Sequence, residues 1–248
     1  MSNGQSAVTQ LSNNQLQVLL TGKFGDGCLL KNPHNLNYHY STCSIHKEYI
    51  EYKASLLENL VTDKGVSEQN NRGYGNNTIY RLSTHSSELI TNIKELSLEE
   101  SLNMLDDLGF ALWLYDDGSL HKSKYFYNIN TQKYSREVNE DLFIPFLKNR
   151  FDIKAKATIE RKSNGAEYWY LRVGKWDGAG IITSILNKFP INCYNYKLWD
   201  SETIQKWSKL QEELKSTNTD ISSLHPRTLT PMLNKIAVKD IVRPYMKI

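Results

Sequence analysis

The sequence predicts an α+β chain made of two pseudo-symmetric αββαββα halves followed by a helical tail. Three observations carry that prediction. The same order of helical and alternating segments occurs twice, both opening helices end on an acidic residue followed by glycine, and those ends, Asp26 and Asp117, stand 91 residues apart. Order and punctuation recur where letters do not, which marks an internal duplication of low identity. The halves are bounded as 14–97 and 98–199. A polar leader at 1–13 is expected to be disordered, and 200–248 forms a helical extension.

Each element has a local reason. Leu16, Leu19, Leu20 and Phe24 recur at helical spacing, and Gly25-Asp26-Gly27 ends that helix. From Leu36 to Ser44, Tyr38, Tyr40 and Thr42 alternate with polar residues, as in a strand buried on one face. His46–Leu60 carries an apolar stripe of Tyr49, Ala54, Leu56, Leu57 and Leu60. A polar stretch over 62–77 leads to a second alternating segment at Thr78–Thr84 and a helix at Ser86–Leu96. The order then restarts. Leu98–Tyr115 reads as one helix stopped by Asp116-Asp117-Gly118, and Lys124–Thr131 alternates. Arg136–Phe151 is amphipathic, and Ser163-Asn164-Gly165 joins two strands as a hairpin turn. Gly178–Phe189 closes the second half. In the tail, a helix at Ser201–Lys215 precedes another opened by Thr230-Pro231.

Composition excludes several classes. Of 248 residues, 40% are hydrophobic and 23% charged, the balance of a folded chain rather than a disordered one. Thirty Lys and Arg against 27 Asp and Glu give a formal charge of only +3. Met1–Gln10 has neither a basic start nor an apolar run, and no apolar stretch approaches bilayer length. No membrane partner is therefore expected. Cys28, Cys43 and Cys193 are too few and too irregular for a disulfide framework. The expected location is cytoplasmic (a nucleoid or phage-infected bacterial cell) or organellar, without secretion. Cys28, His34, His39, Cys43 and His46 match no compact zinc spacing.

The acidic helix ends need a cause. A helix C-terminus is electronegative, so an Asp there is disfavoured by about 0.3–1 kcal/mol. If the two helices pack side by side, Asp26 and Asp117 meet and repel unless a cation lies between them. A hard divalent cation fits, because Mg²⁺ accepts one or two carboxylates and keeps several waters. Such a cation suits phosphodiester hydrolysis.

Leu19-Leu20-Thr21-Gly22-Lys23-Phe24-Gly25-Asp26-Gly27 and Phe110-Ala111-Leu112-Trp113-Leu114-Tyr115-Asp116-Asp117-Gly118-Ser119 together resemble the paired signature of LAGLIDADG homing endonucleases of the single-chain, intron-encoded type. The likeness covers roughly 14–199 and departs in the first copy, where Gly22 is shifted by one and Lys23 is an unusual occupant. It implies curved antiparallel DNA-binding sheets, a central two-helix interface, and Asp26 and Asp117 as catalytic ligands of Mg²⁺ or Mn²⁺. Gly25 and Asp116, immediately before them, complete the implied metal set. Lys175 matches a position where members carry a basic residue near the scissile phosphate. In the first half either Arg81 or His85 takes that role, or the two half-sites are cut at unequal rates.

The near-neutral total hides basic stretches. Residues 119–136 contain Lys122, Lys124, Lys133 and Arg136 and no acid. Residues 154–175 contain Lys154, Lys156, Arg161, Lys162, Arg172 and Lys175 against Glu160 and Glu167. With Lys31, Arg72 and Arg81, and with Asn128 and Asn130 as base readers, these are the candidate DNA contacts. The expected activity is a monomeric, site-specific, Mg²⁺-dependent double-strand cut that promotes homing of an intron or mobile element. An RNA-binding maturase acting on its host intron, or a non-cleaving DNA-binding regulator of the same descent, would use the same surfaces.

Overall fold

A computed structural model describes residues 10–70, 78–121, 126–161, 165–174, 176–221 and 224–236. Among them the strands form two four-stranded antiparallel sheets with the same order, β1-β2-β4-β3 and β5-β6-β8-β7. That shared order is the duplication seen as topology. The chain divides into two compact units, Met1–Gly118 with Lys188–Asn195, and Ser119–Asn187 with Tyr196–Ile248.

The first unit opens with α1 (Asn13–Phe24), started by a capping box in which Ser12 and Gln15 satisfy each other's backbone amides. Strands β1 (Cys28–Leu30) and β2 (His39–Ser44) follow, then α2 (Lys47–Leu57), β3 (Ser67–Asn70), β4 (Thr78–Ser83) and α3 (Glu88–Glu95). In β2, Tyr40 and Thr42 are buried between less buried neighbours, as the alternation predicts. The expected single helix at 98–115 is instead two, α4 (Leu98–Asn103) and α5 (Asp107–Asp117). Asp106 breaks it by capping α5, accepting from Gly109 N–H at 3.0 Å. Gln17 of α1 holds the break open. Its amide nitrogen donates to Met104 O at 3.0 Å and its oxygen accepts from Asp106 N–H at 3.0 Å. Gly109 is required beside it, since a Cβ there would stand 2.2 Å from Gln17 Oε1.

Helices α1 and α5 pack together within this unit. Every residue from Leu108 to Tyr115 is buried, so α5 has no solvent face along that length. Phe24 meets Trp113 with ring centroids 5.5 Å apart, which places Trp113 in the core. Lys23 reaches the Leu96 carbonyl and Ser101 Oγ, tying the end of α1 to the α3–α4 connection.

The second unit holds β5 (Gly118–Leu120, with Gly118 counted in the first unit), β6 (Phe126–Asn130), and a helical run through α6 (Arg136–Val138), a π-helical turn (Asn139–Phe143) and α7 (Ile144–Phe151). Strands β7 (Ala155–Arg161) and β8 (Glu167–Gly174) form the expected hairpin. Then come α8 (Trp176–Lys188, with Lys188 counted in the first unit), α9 (Ser201–Ser216) and α10 (Pro226–Lys235). The last helix begins earlier than Thr230-Pro231 because His225 caps it through Nδ1, accepting from Arg227 N–H at 3.1 Å, and Pro226 takes the first turn. The apolar face of α9 docks on α8: Trp207 and Leu210 share one buried cluster with Trp176, Ala179 and Trp199. Strands β1 and β5 are three residues each, too short to show a period.

Candidate metal centre and nucleic-acid interface

The C-terminal ends of α1 and α5 meet inside the first unit. Helix α1 closes with Gly25 N–H donating to Thr21 O at 2.8 Å, and α5 with Gly118 N–H donating to Leu114 O. Asp26 follows at an exposed position, and Asp117 ends α5 half-buried. The Asp26 N–H donates to Asp116 Oδ2 at 3.2 Å, so one helix end is hydrogen-bonded to the other.

Asp116 itself sits in a buried polar knot. Lys53 Nζ lies 2.9 Å from Asp116 Oδ1 and 3.0 Å from Oδ2, and the two side chains are 0% and 1% exposed. Tyr49 Oη is 2.6 Å from Oδ1. Burial alone would lower the Lys53 ammonium, but Asp116 beside it, helped by Tyr40 and Asp26, holds it above its ordinary value. Burial, followed by the Asp116 charge, pushes the Tyr49 phenol well up.

This arrangement sorts the four residues expected at the metal. Both Asp116 carboxylate oxygens already face an ammonium, a phenol or an amide, which leaves its backbone carbonyl as the atom Asp116 could offer a cation. Gly25 offers only its carbonyl. Among the described residues no three His, Cys, Asp or Glu cluster as a closed metal site. The side chains that could hold a metal here are two carboxylates at abutting helix ends, oxygen donors alone. That suits a hard cation completing its shell with water and phosphate oxygens, and it does not suit zinc.

Lys53 was not legible as a site residue, although it left a signal. It lies four residues after Tyr49 and four before Leu57, in the middle of the stripe that α2 buries. A lysine there requires a buried partner.

The second sheet gathers much of the predicted DNA set. Asn128 in β6, Arg172 in β8 and Lys156 in β7 are cross-strand partners in one row, with Asn130, Tyr170 and Thr158 in the next. The opposite face carries Tyr127, Ile129, Leu171 and Val173, all buried. Arg172 is held in place by Tyr170 Oη at 2.8 Å from Nη2, by Asn128 Oδ1 at 3.4 Å from Nε, and by Phe126, whose ring centroid is 4.7 Å from Cζ. Asn130 Oδ1 accepts from Gln132 N–H at 3.1 Å. Lys154 is exposed just before β7, and exposed Lys133 lies over the Tyr134 ring. Arg161, also exposed, differs from these in register. Its register puts it with the core-facing parity, and it pairs with Glu167 at 2.9 Å.

In the first sheet, Arg81 is exposed on β4 between Cys43 and Ser67. It lines a polar cleft of about 620 Å³ with Asn32, His39, Gln69 and His85. Lys31 is exposed after β1, its Nζ 5.8 Å from the Tyr38 ring centroid. Arg72, Lys122, Lys124, Lys162 and Lys175 lie outside the described residues. No described helix is long and apolar enough to cross a membrane.

Comparison with known proteins bears on the fold and the family. The fold is similar to that of the homing endonuclease I-WcaI bound to its DNA recognition sequence, with a TM-score of 0.61 and 18% identity over 80% of this chain and 95% of that one. I-DmoI in complex with DNA and Mn aligns with a TM-score of 0.47 at 17% identity, over 71% of this chain and 98% of that one. No curated protein sequence matches the chain. The model of the LAGLIDADG DNA endonuclease family matches residues 18–179, which span both acidic helix ends and both sheets. The chain belongs to the LAGLIDADG DNA endonuclease family.

Proposed function

We propose that this protein is a site-specific DNA endonuclease that breaks one phosphodiester in each strand and so promotes homing of the element encoding it. The observation that carries the proposal is the meeting of two acid-tipped helices: the end of α5 is hydrogen-bonded to the turn bearing Asp26, and Asp117 closes α5. Asp26 and Asp117 are the residues that would hold Mg²⁺ or Mn²⁺, which when bound lowers the pKa of a water and neutralises charge on the leaving oxygen.

The rest of the work falls to the chain. The outer face of the second sheet binds duplex DNA, with Lys156 on phosphate and Arg172 with Asn128 and Asn130 on base edges. In the first sheet, Arg81 and the cleft around it supply a second polar face. Lys175 is proposed to stabilise charge at a scissile phosphate. A protein acting as one chain carries both acidic ends, so a monomer suffices.

The experiment is cleavage of DNA spanning the element's uninterrupted insertion locus in Mg²⁺, in Mn²⁺ and with EDTA. A double-strand cut is expected with either metal and none with EDTA. Asp26→Asn and Asp117→Asn should each abolish it. A cut that persists in both variants overturns the metal assignment. Absence of any cut, with tight binding to the host intron RNA, replaces the endonuclease with a maturase.

A further inference from the structure

We propose that Asp116 and Lys53 are positioning residues: a buried clamp that fixes the Asp26 turn from the neighbouring helix. The inference rests on the endonuclease reading and adds two residues to it.

A buried ion pair is a poor device for stability alone. Removing two charges from water costs about as much as their attraction returns, and apolar side chains of similar volume often serve as well or better. Here the pair is fully enclosed. Its hydrogen bonds run in a line: Lys53 and Tyr49 hold the carboxylate, and the carboxylate accepts the Asp26 N–H. The turn at the end of α1 has its own helical closure at Gly25, one residue earlier. The Asp26 amide is thus fixed by a side chain of the partner helix.

The duplication makes the clamp one-sided. The residue before Asp117 is Asp116, whereas the residue before Asp26 is Gly25, which has no side chain to return the contact. Gly25 in fact leaves the space that Asp116 occupies, since a Cβ there would lie 2.3 Å from Asp116 Oδ2. The clamp reaches the Asp26 turn through a hydrogen bond that Gly25 has no side chain to return, so its loss should slow the strand cut at the Asp26 centre more than the other.

The test compares two double variants with the wild type. Lys53→Met with Asp116→Ala removes the charges together and deletes the acceptor. Lys53→Met with Asp116→Asn also removes the charges but keeps an amide oxygen for the Asp26 N–H. The first should slow cleavage of the strand that Asp26→Asn identifies by about tenfold or more, through misplacement of a reacting group. DNA affinity in Ca²⁺ should stay unchanged. It should also weaken Mn²⁺ binding measured by EPR without DNA, and the second variant should recover most of both losses. A merely structural pair would shift the melting temperature and leave the strand ratio and Mn²⁺ affinity alone, which overturns the proposal.

The wild type supplies a readout that needs no variant. The Asp26 amide, although in an exposed turn, should be protected from hydrogen exchange, and exchange at the rate of an open amide overturns the clamp. Should the wild type cut no DNA, the endonuclease reading fails while the amide and Mn²⁺ measurements still decide the clamp.

Discussion

Gly25 and Asp116 occupy equivalent places in two copies of one motif, and the side chain of the second fills the space the first leaves open. A Cβ built on Gly25 would stand 2.3 Å from Asp116 Oδ2 and 2.8 Å from its Cβ. Neither atom can retreat freely, because Lys53, Tyr49 and the Asp26 amide hold the carboxylate. The pair explains why the two motif copies differ at this position: two side chains cannot share the space, and two glycines would leave Lys53 buried without a partner.

Gly25→Ala is therefore expected to overpack the helix ends, at about 1–3 kcal/mol of folding free energy. In a Lys53→Met, Asp116→Ala background the same substitution should cost much less, since the obstructing carboxylate is gone. Urea denaturation of the four proteins closes the double-mutant cycle. A coupling energy near zero would show that the clash is relieved by movement elsewhere.

The sequence carried the fold further than it carried the site. Strand β2 was legible because alternate residues on it are buried, and the β7–β8 hairpin because Asn164-Gly165 marks a tight turn. Helix α5 was legible by its uniform hydrophobicity, but its start was not. The 98–115 run looked continuous because the break depends on Gln17, almost ninety residues earlier in the chain. The acidic ends were legible as a repeated anomaly against the helix dipole. The pairing of Asp116 was hidden for the complementary reason. Nothing local distinguishes a carboxylate that faces a cation from one already paired with a buried lysine, and the partner lies on α2. Arg161 and Arg172 likewise look equal in a charge count, and only the strand register separates them.

Alkali should unfold this protein through its buried phenols. Burial raises the Tyr40 phenol, with Lys53 opposing and Asp116 adding; burial and then Asp116 raise Tyr49; burial and then Tyr52 raise Tyr115. Each keeps its proton in the fold after the unfolded chain, with phenols near a pKa of about 10, has released it. The unfolded state then binds fewer protons, so folding stability falls as pH rises. The contribution is complete below pH ~10 and is lost progressively above it. Urea denaturation across pH 8–11 should show a plateau and then a decline. Tyr49→Phe should make that decline shallower, and an unchanged slope would remove Tyr49 from the effect.

The tail belongs to the fold of the second unit. Trp207 of α9 lies with Trp176 and Trp199 at centroid distances of 6.0 and 5.9 Å, and Trp176 Nε1 donates to Thr230 Oγ1 of α10 at 3.3 Å. Trp207→Ala would empty the centre of this cluster and should cost about 3–5 kcal/mol. The loss is read as a lower denaturation midpoint, with the tryptophan emission moving to longer wavelength as water reaches the remaining rings. A midpoint within experimental error of the wild type would make α9 a dispensable appendage.

Arg172 and Lys156 are adjacent in one cross-strand row, yet they should fail differently when removed. Lys156 is an exposed ammonium on a flexible stem, suited to phosphate, and Lys156→Ala should weaken binding to all DNA sequences alike. The slope of log affinity against log salt should fall by about one. Arg172 is half-buried and oriented by Tyr170, Asn128 and the Phe126 ring, so little rotamer freedom is lost when it meets a base. Arg172→Ala should cost about 1–3 kcal/mol at particular base pairs and relax selectivity there, with a smaller change in salt slope per unit of lost affinity. Arg172→Lys should behave more like the alanine variant than the wild type, because an ammonium cannot keep the fork and the ring contact together. Affinity measured across a randomised target library at two salt concentrations separates the two residues. A uniform loss for Arg172→Ala would reassign it to the phosphate backbone.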